Sequence, residues 1–116
     1  MKTDNVIQEK SYAFALSIIR LYVELQQKRE FVLSKQLLRS GTSIGANVEE
    51  ALAAQSRADF LSKMSIASKE ARESHYWLRL FRDSSLVEIE VTEQLEQVAE
   101  LIRILTAIVK SGRSTS

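Results

Sequence analysis

The sequence has no cysteine, no proline and only three glycines among its 116 residues. Turns and strand ends depend heavily on glycine and proline, so their scarcity excludes an all-β or turn-rich fold. The absence of cysteine excludes a disulfide scaffold, an iron–sulfur cluster and a cysteine-ligated zinc site, and it fits a reducing compartment. The length suits a single domain that buries a sizeable core.

A large charge of one sign is also missing. The 16 basic and 15 acidic residues leave a formal net charge of +1, which indicates no strongly charged partner. The chain has no uninterrupted apolar run near the roughly 18 residues of a membrane span. It begins in an amphipathic segment rather than a signal peptide, so we expect a soluble, cytoplasmic protein without membrane contact.

Helical spacing of apolar residues accounts for most of the chain. Four helices are predicted, over about residues 5–29, 34–55, 57–82 and 91–110, with a short disordered tail at about 112–116. Ser56, with Asp59 three residues later, resembles a capping box at the start of the third helix. Because short connections make successive helices antiparallel neighbours, we predict an all-α, up-down-up-down four-helix bundle that forms one domain.

The first and third predicted helices carry more apolar surface than a four-helix monomer needs. Each has a second apolar stripe beside the one that faces the core. In the first helix this second stripe consists of Tyr12, Ala15, Ile19, Tyr22 and Val23, and in the third of Ile66, Trp77 and Leu80. An exposed apolar stripe favours self-association. The alternative is that large side chains wrap around the edge of a monomeric bundle.

The second predicted helix has an unusual polar stripe. Its members are Arg39, Ser40, Ser43, Asn47 and Glu50. Serine and asparagine are poor residues for a helix interior, so their presence requires a packing reason. Gly41 and Gly45 lie one turn apart next to this stripe and offer a smooth surface to another backbone. We interpret this pair as a site of close helix packing.

Two carboxylates of the third helix, Glu70 and Glu73, lie on a largely apolar face. Buried acids require ionic or hydrogen-bonding partners, and Arg39, Ser43 and Asn47 of the neighbouring helix are the expected ones. This arrangement predicts an internal polar network that fixes the register of the helices. A contact between subunits is the alternative interpretation.

No catalytic, cofactor or metal site is predicted. A di-iron bundle needs two Glu-x-x-His pairs, but His75 is the single histidine and Arg72 stands three residues before it. Ribonucleases of the HEPN superfamily have an arginine at a fixed spacing before the histidine. In this chain that arginine would have to occupy position 68, 69 or 70, and these positions hold Ser68, Lys69 and Glu70. A His75-dependent ribonuclease therefore remains only as an alternative.

The third predicted helix is locally basic. Residues 57–85 hold six basic and four acidic side chains. Lys69, Arg72 and Arg79 are the candidate nucleic-acid contacts, and oligomerisation would repeat their field around an assembly. An RNA- or DNA-binding oligomer is therefore the first alternative function.

Two segments resemble a known family. Residues 36–51 read QLLRSGTSIGANVEEA, and residues 66–80 read IASKEARESHYWLRL. Together with the helix pattern, they resemble the bacterial four-helix-bundle family that includes proteins encoded within ribosomal RNA intervening sequences. That family is related to the accessory protein of diversity-generating retroelements.

The resemblance implies an antiparallel bundle that assembles into a ring, typically of five copies. The retroelement accessory protein binds reverse transcriptase and nucleic acid through a basic surface, so both kinds of molecule are candidate partners besides further copies of the chain. Eight motif residues carry over as packing or assembly positions: Arg39, Ser43, Asn47, Glu50, Glu70, Glu73, Tyr76 and Trp77. We expect a non-enzymatic homo-oligomer, a pentamer without cofactors, that acts as a scaffold or adaptor.

Overall fold

A computed structural model describes residues 2–115, with side chains from Val6 to Gly112. The chain forms four helices, α1 (Lys2–Gln27), α2 (Leu33–Leu52), α3 (Arg57–Ser84) and α4 (Thr92–Thr115). Both α1 and α3 pack against α2 and α4, so α1 and α3 lie diagonally across the bundle. With no strand in the described range, this confirms the predicted all-α four-helix bundle, which measures 46 × 21 × 21 Å.

The core consists of the apolar residues that helical spacing places on one face of each helix. Phe14, Ile18 and Leu25 of α1 are fully buried, and so are Met64 and Leu78 of α3. Burying a large apolar side chain stabilises the fold by about 1.5–3 kcal/mol. The four apolar faces therefore meet along one central axis.

The turn between α1 and α2 is built around Glu30, which the sequence pattern did not single out. The Glu30 carboxylate accepts hydrogen bonds from the backbone N–H groups of Val32 and Leu33 (both 3.1 Å) and of Ser34 (2.6 Å). Burial alone raises the pKa of Glu30, but these hydrogen bonds outweigh burial and lower that pKa below its ordinary value. A buried carboxylate thus caps the positive end of α2.

Helix α1 ends earlier than predicted because the backbone reverses directly after Gln27. Arg29 adopts a left-handed conformation (φ 65°), and the N–H of Glu30 donates to the carbonyl of Leu25 at 2.9 Å. A left-handed residue just after a helix is the usual way to close its last turn.

The start of α3 agrees with the predicted cap, whereas the end of α4 differs from its prediction. Ser56 is the N-cap, and its hydroxyl accepts a hydrogen bond from the Asp59 N–H at 3.1 Å. Helix α4 continues to Thr115, beyond the predicted end at about residue 110, and Gly112 is buried against Leu61 of α3. Ser116, the last residue of the predicted tail, lies outside the described residues.

The two glycines of α2 pack against α1, as their spacing predicts, but not equally closely. A Cβ atom at Gly41 would lie 3.0 Å from both Cγ atoms of the buried Ile18. At Gly45 it would lie 3.5 Å from the nearest atoms, those of Ser11. Only Gly41 is therefore required for the approach of the two helices.

None of the helices described is both long enough and apolar enough to cross a membrane.

Candidate functional site

A charged cluster joins α2 to α3 at the half-exposed edge of their contact. Arg39 of α2 contacts Glu70 of α3 through two hydrogen bonds, Nη1 to Oε2 at 2.7 Å and Nη2 to Oε1 at 3.2 Å. Its Nη2 atom also donates to Glu73 Oε2 at 2.6 Å. One guanidinium therefore binds two carboxylates one helical turn apart, and these hydrogen bonds raise the pKa of Arg39.

Trp77 completes this cluster. Its indole N–H donates to Glu73 Oε2 at 3.0 Å, the same oxygen that Arg39 contacts. The Trp77 hydrogen bond is the largest cause of the lowered pKa of Glu73, and the hydrogen bond from Arg39 is the next. The carboxylate is thus held ionised between an aromatic donor and a cation.

A second polar contact lies beneath the charged cluster. The hydroxyl oxygens of Ser40 and Ser74 are 2.8 Å apart and both side chains are buried, while Ser74 also donates to the Glu70 carbonyl. Residue patterning did not select Ser74, since a lone serine in a helix carries no strong signal. Its position four residues after Glu70, on the face opposite Ser40, is the one clue that the sequence contains.

Two expected partners of the carboxylates are not part of this cluster. Ser43 donates to the carbonyl of Arg39 at 2.6 Å, and the Asn47 amide donates to the carbonyl of Ser43 at 2.8 Å. Their short side chains bond the preceding turn of their own helix instead of reaching α3. Glu50 lies further along α2, where Lys63 of α3 is 3.6 Å away.

Tyr76 lies outside the charged cluster, although it neighbours Trp77 in sequence. Its ring contacts the Trp77 ring edge-on, with centroids 5.2 Å apart, and the guanidinium of Arg79 lies 5.8 Å from its centroid. The residue nevertheless remains 47% exposed. Two neighbours therefore hold an aromatic ring that still faces solvent.

A shallow groove with basic walls runs between α3 and α4. It encloses about 380 Å³ and is lined by Ser65, Ser68, Lys69, Arg72, Thr106, Val109 and Lys110. Arg72 donates to the Thr106 hydroxyl at 3.2 Å, which places its guanidinium at the groove. Of the predicted nucleic-acid contacts, Lys69 and Arg72 line this groove, and Arg79 follows two helical turns after Arg72.

His75 is half-buried and surrounded by positive charge. Burial is the main cause of its lowered pKa, and the nearby Arg79 and Arg82 lower it further. Within the described side chains His75 has no hydrogen bond and no ion pair. These surroundings favour the neutral imidazole, and no acid among the described side chains orients it.

Comparison with known proteins places the chain in a family. The sequence model of the family described as 23S rRNA-intervening sequence protein matches residues 3–107 of the chain. The chain belongs to this family. No curated protein matches its sequence.

A crystal structure from the same group supports this assignment. It is a protein of unknown function from the S23 ribosomal protein family of Bacteroides thetaiotaomicron VPI-5482, 47% identical in sequence. The match covers 93% of this chain and 98% of that one, with a TM-score of 0.85. The resemblance of residues 36–51 and 66–80 to the intervening-sequence proteins is therefore confirmed, and in this member Arg39 and Glu70 link the two segments.

A row of exposed apolar side chains lies on α1. Four side chains at intervals of four, three and four residues form a stripe along this helix: Tyr12, Leu16, Ile19 and Val23, with 63%, 39%, 44% and 51% of their surface exposed. Sequence patterning missed Leu16, and it included Ala15 and Tyr22, which are half-buried. On α3 only Ile66 of the predicted second stripe is exposed, because Trp77 and Leu80 are half-buried.

Proposed function

We propose that the protein is a cytoplasmic, non-enzymatic homo-oligomer that acts as a scaffold or adaptor. The observation that carries the proposal is the α1 stripe of Tyr12, Leu16, Ile19 and Val23. Its ends lie eleven residues apart, or about 16 Å along the helix. A row of four large apolar side chains on one exposed helix face is typical of an interaction surface.

A second copy of the chain is the partner that we assign to this stripe. The α1 helix packs against α2 and α4 on its inner sides, so the stripe remains available to another subunit. The family resemblance implies a ring of five copies. Such a ring requires heterologous contacts, in which the α1 stripe of one subunit meets a different surface of the next.

The charged residues support a structural role rather than a catalytic one. Glu70 and Glu73 are both bound by Arg39, and Trp77 also donates to Glu73. These contacts stabilise the packing of α2 against α3, and the lowered pKa of Glu73 makes that carboxylate a poor proton carrier at neutral pH. The absence of cysteine from the sequence agrees with a reducing compartment.

Sedimentation analysis at micromolar concentration tests the assembly. We expect the wild-type protein to sediment at a multiple of 13.2 kDa, and at five times this mass for a pentamer. The double variant Ile19→Gln/Val23→Gln removes the centre of the stripe and should be monomeric with unchanged helix content. A wild-type mass of 13.2 kDa would contradict the proposal.

Val32→Gln is the matched control. Val32 is an exposed aliphatic residue in the α1–α2 connection, outside the stripe. Its replacement removes the same kind of surface and should leave the mass unchanged. If Val32→Gln dissociates the oligomer while the α1 variant does not, the interface lies at the end of the bundle and the assignment of the α1 stripe is wrong.

A further inference from the structure

The charges of α3 are divided between two sides of the helix. Its central acids, Glu70 and Glu73, turn towards α2 and bind Arg39. On the other side, Lys69 and Arg72 line the groove shared with α4. The side of α3 that faces α4 is therefore a locally basic strip, although the net charge of the whole chain is near zero. The acids of central α3 do not neutralise this strip, because they face α2.

The cations of this strip are available to a ligand. Among the described side chains, Lys69, Arg72, Arg79 and Lys110 form no ion pair with an acid. Lys69, Arg72 and Arg79 are exposed on α3, and Lys110 faces the groove from α4. From Lys69 to Arg79 the strip extends about 15 Å along the helix axis.

An exposed aromatic ring interrupts the strip. Tyr76 lies one turn after Arg72 and one turn before Arg79, and it is 47% exposed. Contacts with Trp77 and Arg79 hold the ring in place. An ordered ring among unpaired cations is the combination by which proteins bind single-stranded nucleic acid, since cations contact phosphates and the ring stacks on a base.

We propose that the α3–α4 groove binds single-stranded nucleic acid. Lys69, Arg72 and Lys110 contact consecutive backbone phosphates, the hydroxyl of Thr106 holds Arg72 in place, and an unpaired base stacks on Tyr76. Within one subunit this site lies on a different side of the bundle from the α1 stripe, because α1 lies diagonally opposite α3.

The ring distinguishes a single strand from other polyanions. In a duplex the faces of the bases are covered by their neighbours, so only phosphate contacts remain. An acidic protein or heparin has no base to stack. The contribution of Tyr76 to affinity therefore identifies the ligand class, whereas the contribution of the cations does not.

Fluorescence anisotropy with a labelled oligouridine is the test, with a duplex of equal length and heparin as competitors. We expect the full-length protein to bind oligouridine in low salt, more tightly than the duplex, and to lose affinity as salt is added. Arg72→Gln and Lys69→Gln should each reduce the slope of log affinity against log salt by about 0.7, the value for one phosphate contact on a single strand.

Tyr76→Ala should weaken binding by roughly 5- to 150-fold, the range measured for loss of one stacked base, without changing the salt slope. Tyr76→Phe retains the ring and should bind like the wild-type protein. Arg20→Gln is the charge-matched control, because Arg20 is exposed on α1 near Glu24, Glu90 and Glu93. It should leave both affinity and slope unchanged.

Three results would overturn the proposal. These are no binding of oligouridine at low salt, equal affinity for the duplex or heparin, and wild-type affinity in Tyr76→Ala. Circular dichroism and sedimentation of each variant separate a loss of the site from a loss of folding or assembly. Binding that survives in the monomeric Ile19→Gln/Val23→Gln variant would support the groove whatever the outcome for the oligomer.

Discussion

The Arg39 guanidinium and the Glu70 carboxylate, 31 residues apart in sequence, form two hydrogen bonds of 2.7 and 3.2 Å between α2 and α3. Arginine is suited to this contact because its planar fork matches a carboxylate. The contact joins α2 to α3 on their exposed edge, and the buried Ser40–Ser74 pair joins them underneath. The relative position of α2 and α3 is thus fixed by one contact at the surface and one in the interior.

Replacing Arg39 should weaken the α2–α3 contact. We expect Arg39→Met to lower the free energy of unfolding by about 1 kcal/mol. The loss is this small because solvent screens a half-exposed ion pair and weakens its hydrogen bonds. Arg39→Lys should recover only part of this loss, because an ammonium group cannot form both prongs. Urea denaturation measures the change.

A double-mutant cycle provides the control for this prediction. If Arg39 and Glu70 interact directly, the effects of Arg39→Met and Glu70→Gln should not add. Lys63→Met, which removes the longer contact to Glu50, is the matched single variant and should cost less. Additive effects of Arg39→Met and Glu70→Gln would contradict a direct interaction.

Trp77 should control the ionisation of Glu73. In Trp77→Phe the indole N–H is lost, so the pKa of Glu73 should rise towards its ordinary value of 4.5, and the stability should fall by about 1 kcal/mol. Carboxyl carbon chemical shifts followed by NMR during a pH titration measure that pKa. An unchanged pKa of Glu73 would show that the indole donor has no influence on it.

Glu30 should stabilise the start of α2. Glu30→Ala removes three acceptor contacts to backbone N–H groups, and we expect a loss of about 1–2 kcal/mol, as for other helix caps. Exposed Glu49 of α2 offers a comparison, because its carboxylate accepts hydrogen bonds from the Gln8 side chain and caps no helix. Glu49→Ala should cost clearly less in the same denaturation experiment.

The contribution of Glu30 should also depend on pH in a defined direction. Its folded-state pKa lies below the ordinary value of 4.5, so the stabilisation is complete above 4.5 and is lost as the pH falls through the folded-state value. The free energy of unfolding of the wild-type protein should therefore decrease more steeply than that of Glu30→Gln between about pH 5 and pH 3. Parallel curves for the two proteins would contradict this assignment.

The two glycines of α2 should respond oppositely to alanine. Gly41→Ala places a methyl group 3.0 Å from the branched, fully buried Ile18, and we expect a loss of about 1–3 kcal/mol from overpacking. Gly45→Ala makes only ordinary contacts with Ser11 and should gain up to about 1 kcal/mol from helix propensity. Thermal unfolding compares the pair, and equal effects would show that the spacing of the glycines matters more than their contacts.

Local sequence rules predicted most of the architecture. The 3.6-residue spacing of apolar side chains places Phe14, Ile18 and Met64 in the core, and the Ser56 cap follows from its hydroxyl. These features depend on residues close together in the chain. The helix ends at Gln27 and Thr115 were missed, because a left-handed Arg29 and the packing of Gly112 against Leu61 decide them.

The polar residues divide in the same way. The sequence by itself determined that Glu70 and Glu73 need partners, since an acid on a largely apolar face must be compensated. Only the tertiary structure decided which partners they have: Arg39 reaches across to α3, whereas Ser43 and Asn47 bond their own helix. The partners depend on side-chain length and on the distance between neighbouring helices. The spacing of residues along one helix contains neither the distance nor the direction to the next helix.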